Sequence, residues 1–131
     1  MSEPDPALPS GLAELYFAPK AFESPALYRA LGVGVAQRVV VWLGRRTGRD
    51  PTRPNNYFVW DRSPQGLRAF EKKTRSNELM HLAGMILPAL ALAQGADGVL
   101  GVVLALILLL TVYPVLLQRY NRARIYRVLA D

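Results

Sequence analysis

Two groups of polar residues flank the most apolar part of this 131-residue chain. The first is Glu78-x-x-His81, which places a carboxylate three positions before the chain's single histidine. On a helix, residues i and i+3 share one face, so the carboxylate can reach the imidazole. A carboxylate that orients a histidine and stabilises its protonated form leaves a general base poised near neutral pH. The spacing therefore predicts a catalytic His81 oriented by Glu78. The alternative is that both side chains are only solvated at a membrane surface.

The second polar group is Gln118–Arg124, which reads QRYNRAR. On a helix, Arg119 and Arg122 lie one turn apart, and two guanidinium groups at that spacing can bind a diphosphate or a lipid headgroup. Gln118 and Asn121 share a face with Arg122. The alternative is a collar of arginines that only fixes the orientation of a membrane helix. The interleaved polar residues are not needed for a collar, and they favour a binding role.

Two apolar runs separate these groups. Leu79–Ala93 is about fifteen residues long and Val99–Leu117 about nineteen, and the second length is enough to span a bilayer. Between Leu79 and Leu117 the only formally charged residue is Asp97, in the short turn. A tight turn between two apolar helices produces a hairpin that crosses the membrane and returns to the same side. The pattern therefore predicts a transmembrane hairpin that brings both polar groups to one membrane face.

Charge supports the membrane interpretation. Sixteen Lys and Arg against ten Asp and Glu give a formal net charge of +6, which is typical of a chain that meets nucleic acid or an anionic membrane surface. The apolar hairpin favours the membrane, and we expect no nucleic-acid partner. The absence of cysteine excludes disulfides and thiolate catalysis, and no zinc-ligand spacing or phosphate loop is present, so we expect neither a metal nor a resident cofactor.

The flanks of the two runs predict the topology. Basic residues precede the first run and follow the second, whereas the turn carries only an acid. By the positive-inside rule, both termini are expected to be cytoplasmic and the turn to face outside, in a multi-pass protein of the cell membrane. The basic residues are Lys72, Lys73 and Arg75 before the hairpin, and Arg119, Arg122, Arg124 and Arg127 after it.

Upstream of the hairpin, the composition divides the chain into three parts. Residues 1–18 are predicted to form a disordered lead, with a short helix or a membrane-touching turn at Leu12–Phe17. Residues 19–62 form a basic interfacial or cytoplasmic region, and residues 63–131 form the transmembrane hairpin with its flanking helices. Serine followed by proline predicts helix starts at Ser24-Pro25 and Ser63-Pro64.

The basic region contains an apolar stretch, Val35–Leu43, that is too short to span a membrane. Beside Arg45 and Arg46 it is typical of a helix lying among lipid headgroups, although a packed helix of a small soluble cap or a strand fits the same pattern. Gly32 and Gly34 are expected to weaken or break the helix before it. Gly44–Asn56 is predicted to be a loop, and Tyr57–Asp61 an extended aromatic segment at the membrane interface.

Within the hairpin, Pro88 is expected to kink the first helix. Small residues allow two helix backbones to approach closely in lipid, where hydrophobicity no longer drives association. Two small residues occur on each helix, and we expect them at a helix–helix contact. They are Gly84 and Ala91 on the first helix, and Gly101 and Ala105 on the second.

These residues are similar to those of a known family. Glu78-Leu-Met-His81, which opens an apolar helix, and the later segment Tyr113–Arg124, which reads YPVLLQRYNRAR, resemble the glycosyl-4,4'-diaponeurosporenoate acyltransferases. Those are small bacterial membrane enzymes of carotenoid synthesis. Tyr16-Phe17, Phe22-Glu23 and the basic-aromatic segment around residues 38–46 are similar in a looser way. The resemblance covers about two-thirds of the chain and is dense from Lys73 onward, and its specific part is the QRYNRxR string.

The resemblance implies transfer of a fatty acyl group to a sugar hydroxyl of a glycosylated lipid or carotenoid-like acceptor. His81 would take the proton from the hydroxyl while Glu78 orients His81. Asn121 or Gln118 would donate hydrogen bonds to the oxyanion. The phosphates of an acyl donor, such as an acyl coenzyme A acting as co-substrate, would be held by three arginines: Arg119, Arg122 and Arg124.

We therefore expect an all-α membrane protein that acts as an acyltransferase on a glycosylated lipid. Two helices alone enclose little volume, so we also expect homo-oligomers. The alternative is a small membrane protein without enzyme activity that scaffolds or regulates a partner enzyme. A pore is disfavoured because the apolar runs carry no polar stripe.

Overall fold

The computed structural model describes residues 11–48 and 61–131. These residues form five α-helices and no strand, so the all-α class predicted from the sequence is confirmed. Three predicted parts lie outside the described residues: residues 1–10 of the lead, residues 49–56 of the loop and residues 57–60 of the aromatic segment. The helices are α1 (Leu12–Phe17), α2 (Pro25–Ala30), α3 (Val33–Arg46), α4 (Pro64–Ala93) and α5 (Gly98–Ala130).

The fold is dominated by α4 and α5, which are joined by the four residues 94–97 and pack against one another. They are antiparallel, because Arg119 contacts Glu78, Arg122 contacts Thr74, and Ile125 packs in a cluster with Leu67 and Phe70. Both helices are continuous through an internal proline, Pro88 in α4 and Pro114 in α5. The polar ends of the two helices, around residues 71–78 and 118–126, therefore lie side by side.

The predicted helix starts are confirmed. The Ser24 hydroxyl accepts a hydrogen bond from the Leu27 amide at 3.1 Å, and the Ser63 hydroxyl accepts one from the Gly66 amide at 3.0 Å. Each serine thus satisfies one of the amides that a helix leaves without a partner in its first turn. Gly32 adopts a left-handed backbone, with φ of 80°, and separates α2 from α3 as its weak helix propensity predicted.

The loop predicted from Gly44 was wrong in its first three residues, because α3 continues through Arg46. The prediction gave too much weight to Gly44. One glycine costs only about 1 kcal/mol in a helix, so the helix formed by the preceding apolar stretch continues through it. Thr47 caps the end of α3, and its hydroxyl donates to the Leu43 carbonyl at 2.9 Å. The strand alternative for this stretch is excluded by the same helix.

The buried core is small and lies at the polar end of the α4–α5 pair. One cluster joins the amino-terminal helices to α5 and contains Tyr28, Val33 and Leu117. The other joins the start of α4 to the end of α5 and contains Leu67, Phe70 and Ile125. Both clusters hold the shorter helices and the first turns of α4 against the last third of α5. The packing therefore stabilises the region where the polar residues meet.

The apolar halves of α4 and α5 lie outside this core. Helix α5 is long and apolar enough to cross a membrane, and only 6% of its most apolar stretch is buried. The core helix of a water-soluble protein would be mostly buried, and this stretch of α5 is not. Among the described residues α5 is the one candidate span. The apolar half of α4 is shorter and follows charged turns, so a second crossing stays a prediction.

The small residues of the two helices have different surroundings. Gly101 is buried, and a Cβ atom built on it would lie 2.8 Å from the Ala96 carbonyl oxygen. A Cβ atom on Gly84 would meet nothing within 4 Å. Gly101 therefore makes room for the turn before α5, whereas Gly84 does not contact the neighbouring helix within this chain.

Candidate functional site

Glu78 is the centre of the polar region. Its side chain is completely buried on α4, where an unpaired carboxylate would be strongly unfavourable. The Tyr16 hydroxyl donates to one carboxylate oxygen at 2.9 Å, and Arg119 Nη1 donates to the same oxygen at 3.2 Å. The other oxygen forms an ion pair with Arg122 Nη2. Residues from α1 and α5 thus converge on one carboxylate of α4, and their hydrogen bonds and charges compensate for its desolvation.

Arg122 is buried as deeply as the carboxylate it pairs with, and its side chain is 1% exposed. Its Nε donates to the Phe17 carbonyl at 2.8 Å, and its Nη1 donates to the Thr74 hydroxyl at 3.2 Å. The guanidinium also lies 5.1 Å from the centre of the Phe17 ring. These contacts use each nitrogen of the planar guanidinium and fasten the end of α1 to α4 and α5.

Arg119 binds a second carboxylate, that of Glu23. Its Nε and Nη2 donate to the two Glu23 oxygens at 2.9 and 3.1 Å, the bidentate geometry that suits a guanidinium and a carboxylate. The Tyr28 hydroxyl donates to Glu23 as well. Burial alone would raise the pKa of Glu23, but the hydrogen bonds from Arg119 and Tyr28 outweigh it and lower the pKa. Glu23 is therefore held as the carboxylate.

A second set of ion pairs lies further along α5. Arg75 Nη2 donates to Glu14 at 2.9 Å and to the Tyr126 hydroxyl at 2.8 Å, and Tyr126 donates to Glu14 at 2.6 Å. Arg75 also pairs with Glu71, one turn earlier on α4. Burial disfavours the charged form of Glu14, but the contacts with Tyr126 and Arg75 outweigh it and lower its pKa. We refer to the two sets together as the ion-pair network.

His81 lies outside this network. It is half-buried on α4 and follows Glu78 at the predicted spacing, yet the described residues provide no hydrogen bond to its ring. The carboxylate of Glu78 is directed instead to Tyr16, Arg119 and Arg122. The predicted contact in which Glu78 orients His81 is therefore not formed in this structure. The physical reason is that two guanidinium groups bind a buried carboxylate more strongly than a neutral imidazole does.

The predicted substrate-binding residues separate into two groups. Arg119 and Arg122 are occupied by the carboxylates of Glu23 and Glu78, so their charges are compensated inside the protein. Arg124 is exposed and stacks on the Tyr120 ring, 5.5 Å from its centre. The remaining two predicted residues are buried polar side chains of α5: Gln118, 0% exposed, and Asn121, 3% exposed.

Several members of the network were not singled out from the sequence as site residues. The Glu23–Arg119 contact joins residues 96 positions apart, and the Tyr16–Glu78 contact joins residues 62 positions apart. Helical spacing reveals partners only within one helix, so these pairings had no local signal. The others that were missed are Glu14, Tyr28, Glu71, Thr74 and Tyr126, and Arg75 was predicted only as a flanking charge.

Comparison with known proteins places the chain in a family. No curated protein and no solved structure matched the chain. Residues 13–131 match the family model for glycosyl-4,4'-diaponeurosporenoate acyltransferase (CrtO), which spans all five described helices apart from the first residue of α1. Membership of this family supports acyltransferase activity and a membrane location. The chain belongs to the glycosyl-4,4'-diaponeurosporenoate acyltransferase family.

Proposed function

We propose that this protein is a membrane acyltransferase that moves a fatty acyl group onto a sugar hydroxyl of a glycosylated lipid or carotenoid-like acceptor. The observation that carries the proposal is the family match over residues 13–131. The fold agrees with a lipid-soluble acceptor, because the apolar surface of α5 is almost entirely unburied and adjoins the polar end of the helix pair. A reaction between a sugar and an acyl chain belongs at such a boundary.

The proposed membrane arrangement has both α4 and α5 crossing the bilayer. Large apolar side chains are exposed along both apolar halves, among them Met80 and Leu87 on α4 and Val99 and Leu110 on α5. The ion-pair network then lies at the cytoplasmic edge, with both termini on that side, as the basic flanks predict. Two helices enclose little volume, so we also propose that copies associate through these surfaces.

Helix α3 is the proposed interfacial element. Val35, Val39 and Trp42 are exposed on it, and their i, i+4, i+7 spacing puts them on one face of the helix. The Arg46 guanidinium lies 4.7 Å from the Trp42 ring centre, so charge and aromatic surface occur together. Apolar side chains beside arginines suit a helix that lies among anionic headgroups. This helix would hold the cytoplasmic part of the protein against the membrane.

His81 is the proposed general base. In acyl transfer the sugar hydroxyl oxygen attacks the acyl carbon, and His81 takes the hydroxyl proton. The bond from the acyl carbon to the donor sulfur then breaks, and the proton passes to the leaving thiolate. Glu78 is proposed as a positioning residue, because its contacts with Arg119 and Arg122 fix the turn of α4 from which His81 projects. No resident cofactor is needed for this step.

An oxyanion donor is available one turn before His81. Asn77 lies on the same face of α4 as His81 by its i, i+4 spacing, and its side-chain nitrogen is buried with no hydrogen-bond partner among the described residues. A buried donor left unpaired costs about 1–3 kcal/mol, which is offset when a ligand atom accepts from it. We propose that Asn77 supports the oxyanion, in addition to the predicted Gln118 and Asn121.

The experiment is lipid mass spectrometry of membranes containing a glycosylated carotenoid, with and without the full-length protein. The wild type is expected to add the mass of an acyl chain to the acceptor. His81→Ala is expected to reduce the product by at least about 100-fold, and added imidazole to restore part of it. The matched control is Met80→Ala, an exposed neighbour on α4, which is expected to retain activity. If the wild type leaves the lipids unchanged, the proposed function is overturned. If His81→Ala keeps full activity, His81 is not the general base.

A further inference from the structure

A groove lies beside the ion-pair network, between α3, the start of α4 and the last turns of α5. Its cavity is about 310 Å³. That volume is at the lower end of the range for small-ligand pockets, and it suits a headgroup or the end of a coenzyme rather than a long acyl chain. We call it the Arg62–Arg124 groove. It is lined by Gln37, Arg62, Leu67, Asn121, Arg124, Ile125 and Val128.

The two arginines of the groove differ from those of the network. Arg62 and Arg124 are both exposed, and neither forms an ion pair within residues 11–48 and 61–131. Arg119 and Arg122, in contrast, are compensated by carboxylates. A guanidinium that keeps its charge and its donors is available to an incoming anion. The groove therefore presents two guanidinium groups whose charge no carboxylate of the described residues compensates.

The floor of the groove is well ordered by packing. Leu67 and Ile125 belong to one of the two buried core clusters, and Asn121 is 3% exposed. A rigid apolar floor with charged groups at its rim holds a ligand by desolvating it on one side and pairing its charge on the other. Phosphate esters have the required chemistry, because their charged oxygens match the guanidinium fork and their organic part can pack on the floor.

We propose that the Arg62–Arg124 groove binds a phosphate ester, and that this ester is the phosphorylated end of the acyl donor. The assignment to the donor rests on the proposed acyltransferase function, which requires an activated acyl group. The groove adjoins the network through consecutive residues of α5, since Asn121 lines the groove and Arg122 binds Glu78. A donor bound there would lie beside the ion-pair network that contains Glu78, the proposed positioning residue.

The test uses the full-length protein in nanodiscs of uncharged lipid. Binding of coenzyme A and of inorganic diphosphate is measured by calorimetry for the wild type and for the double variant Arg62→Gln/Arg124→Gln. Each charge-assisted contact is expected to contribute about tenfold in affinity, so the Kd of the double variant should rise by about 100-fold. Arg29→Gln is the matched control, because it removes one exposed guanidinium of α2 outside the groove and should leave Kd unchanged.

The outcomes separate the sources of the phosphate. Coenzyme A binding that the double variant loses supports the proposal. A second outcome is that coenzyme A does not bind and that phosphatidylglycerol added to the nanodiscs competes with inorganic diphosphate. This result would retain a phosphate site but overturn its assignment to the donor. Equal Kd values for the wild type and the double variant would overturn the site itself. Groove-dependent binding of coenzyme A in a protein that forms no acylated product would reject the proposed function and retain the groove.

Discussion

Glu78 and Arg122 form an ion pair in which the two side chains are 0% and 1% exposed, although 44 positions separate them in the chain. Removal of two charges from water is costly, and a buried pair stabilises a fold only when further hydrogen bonds satisfy both partners. Here the Tyr16 hydroxyl and the Phe17 carbonyl provide such bonds, so the pair is part of a larger polar network. The join between α1, α4 and α5 therefore depends on charge as much as on apolar packing.

Glu78→Gln is expected to destabilise the fold by about 3–5 kcal/mol, because it leaves the Arg122 charge buried without its counter-charge. The measurement is thermal or denaturant unfolding of the protein in detergent. Glu14→Gln is the control, since Glu14 belongs to the same network but is only partly buried. We expect a loss of about 1 kcal/mol for that variant. Equal losses in the two variants would mean that the burial of Glu78 has no energetic consequence.

Acid is expected to weaken the fold through Glu14 and Glu23. Both carboxylates have pKa values below the ordinary 4.5, in Glu23 because the hydrogen bonds from Arg119 and Tyr28 outweigh burial. A lowered pKa in the folded state stabilises the fold above pH 4.5, and this stabilisation is lost as the pH falls through the lowered value. Tm measured from neutral pH downwards should stay level to 4.5 and then decrease. Glu23→Gln should show a shallower decrease, and an equally steep one would contradict this origin.

Two glycines provide a matched comparison of helix packing. Gly101→Ala is expected to destabilise the protein by about 1–3 kcal/mol, because the new Cβ would lie against the Ala96 carbonyl oxygen. Gly84→Ala has open space, so the better helix propensity of alanine should stabilise α4 by up to about 1 kcal/mol. Unfolding in detergent measures both variants. A large loss in Gly84→Ala with a change of oligomer size would instead locate a contact between copies at this residue.

Trp42 should report the position of α3. Trp60→Phe leaves Trp42 as the single tryptophan of the chain. In nanodiscs its fluorescence should be quenched by lipids that carry bromine close to the headgroup, and only weakly by lipids brominated near the chain end. Arg45→Gln/Arg46→Gln is expected to reduce the quenching, because it removes two charges that attract anionic headgroups. Emission that is equally insensitive to both lipids would show that α3 does not lie at the membrane surface.

The local features of the fold could be predicted from the sequence because their causes are local. Ser24 and Ser63 are strong helix caps in any context, and the backbone freedom of Gly32 separates two helices wherever it occurs. The apolar run of α5 identified a candidate span by its length alone. These features depend on neighbours within one or two turns.

The partners of the polar residues could not be predicted in the same way. The spacing of Glu78 and His81 correctly placed them on one helix, but a partner on the same helix competes with partners from others. Arg119 and Arg122 reach Glu78 only after α5 folds back along α4. The same competition pairs Arg119 and Arg122 with carboxylates of the protein, while Arg124 stays on the surface.

The wide separation of Glu23 and Arg119 also has a consequence for biogenesis. Glu23 is synthesised 96 residues before its counter-charge Arg119, and Phe17 is synthesised 105 residues before Arg122, which donates to its carbonyl. The amino-terminal segment therefore lacks these partners until the last helix has been synthesised. Final docking of this segment would then be the step at which an incomplete or truncated chain becomes distinguishable from a finished one.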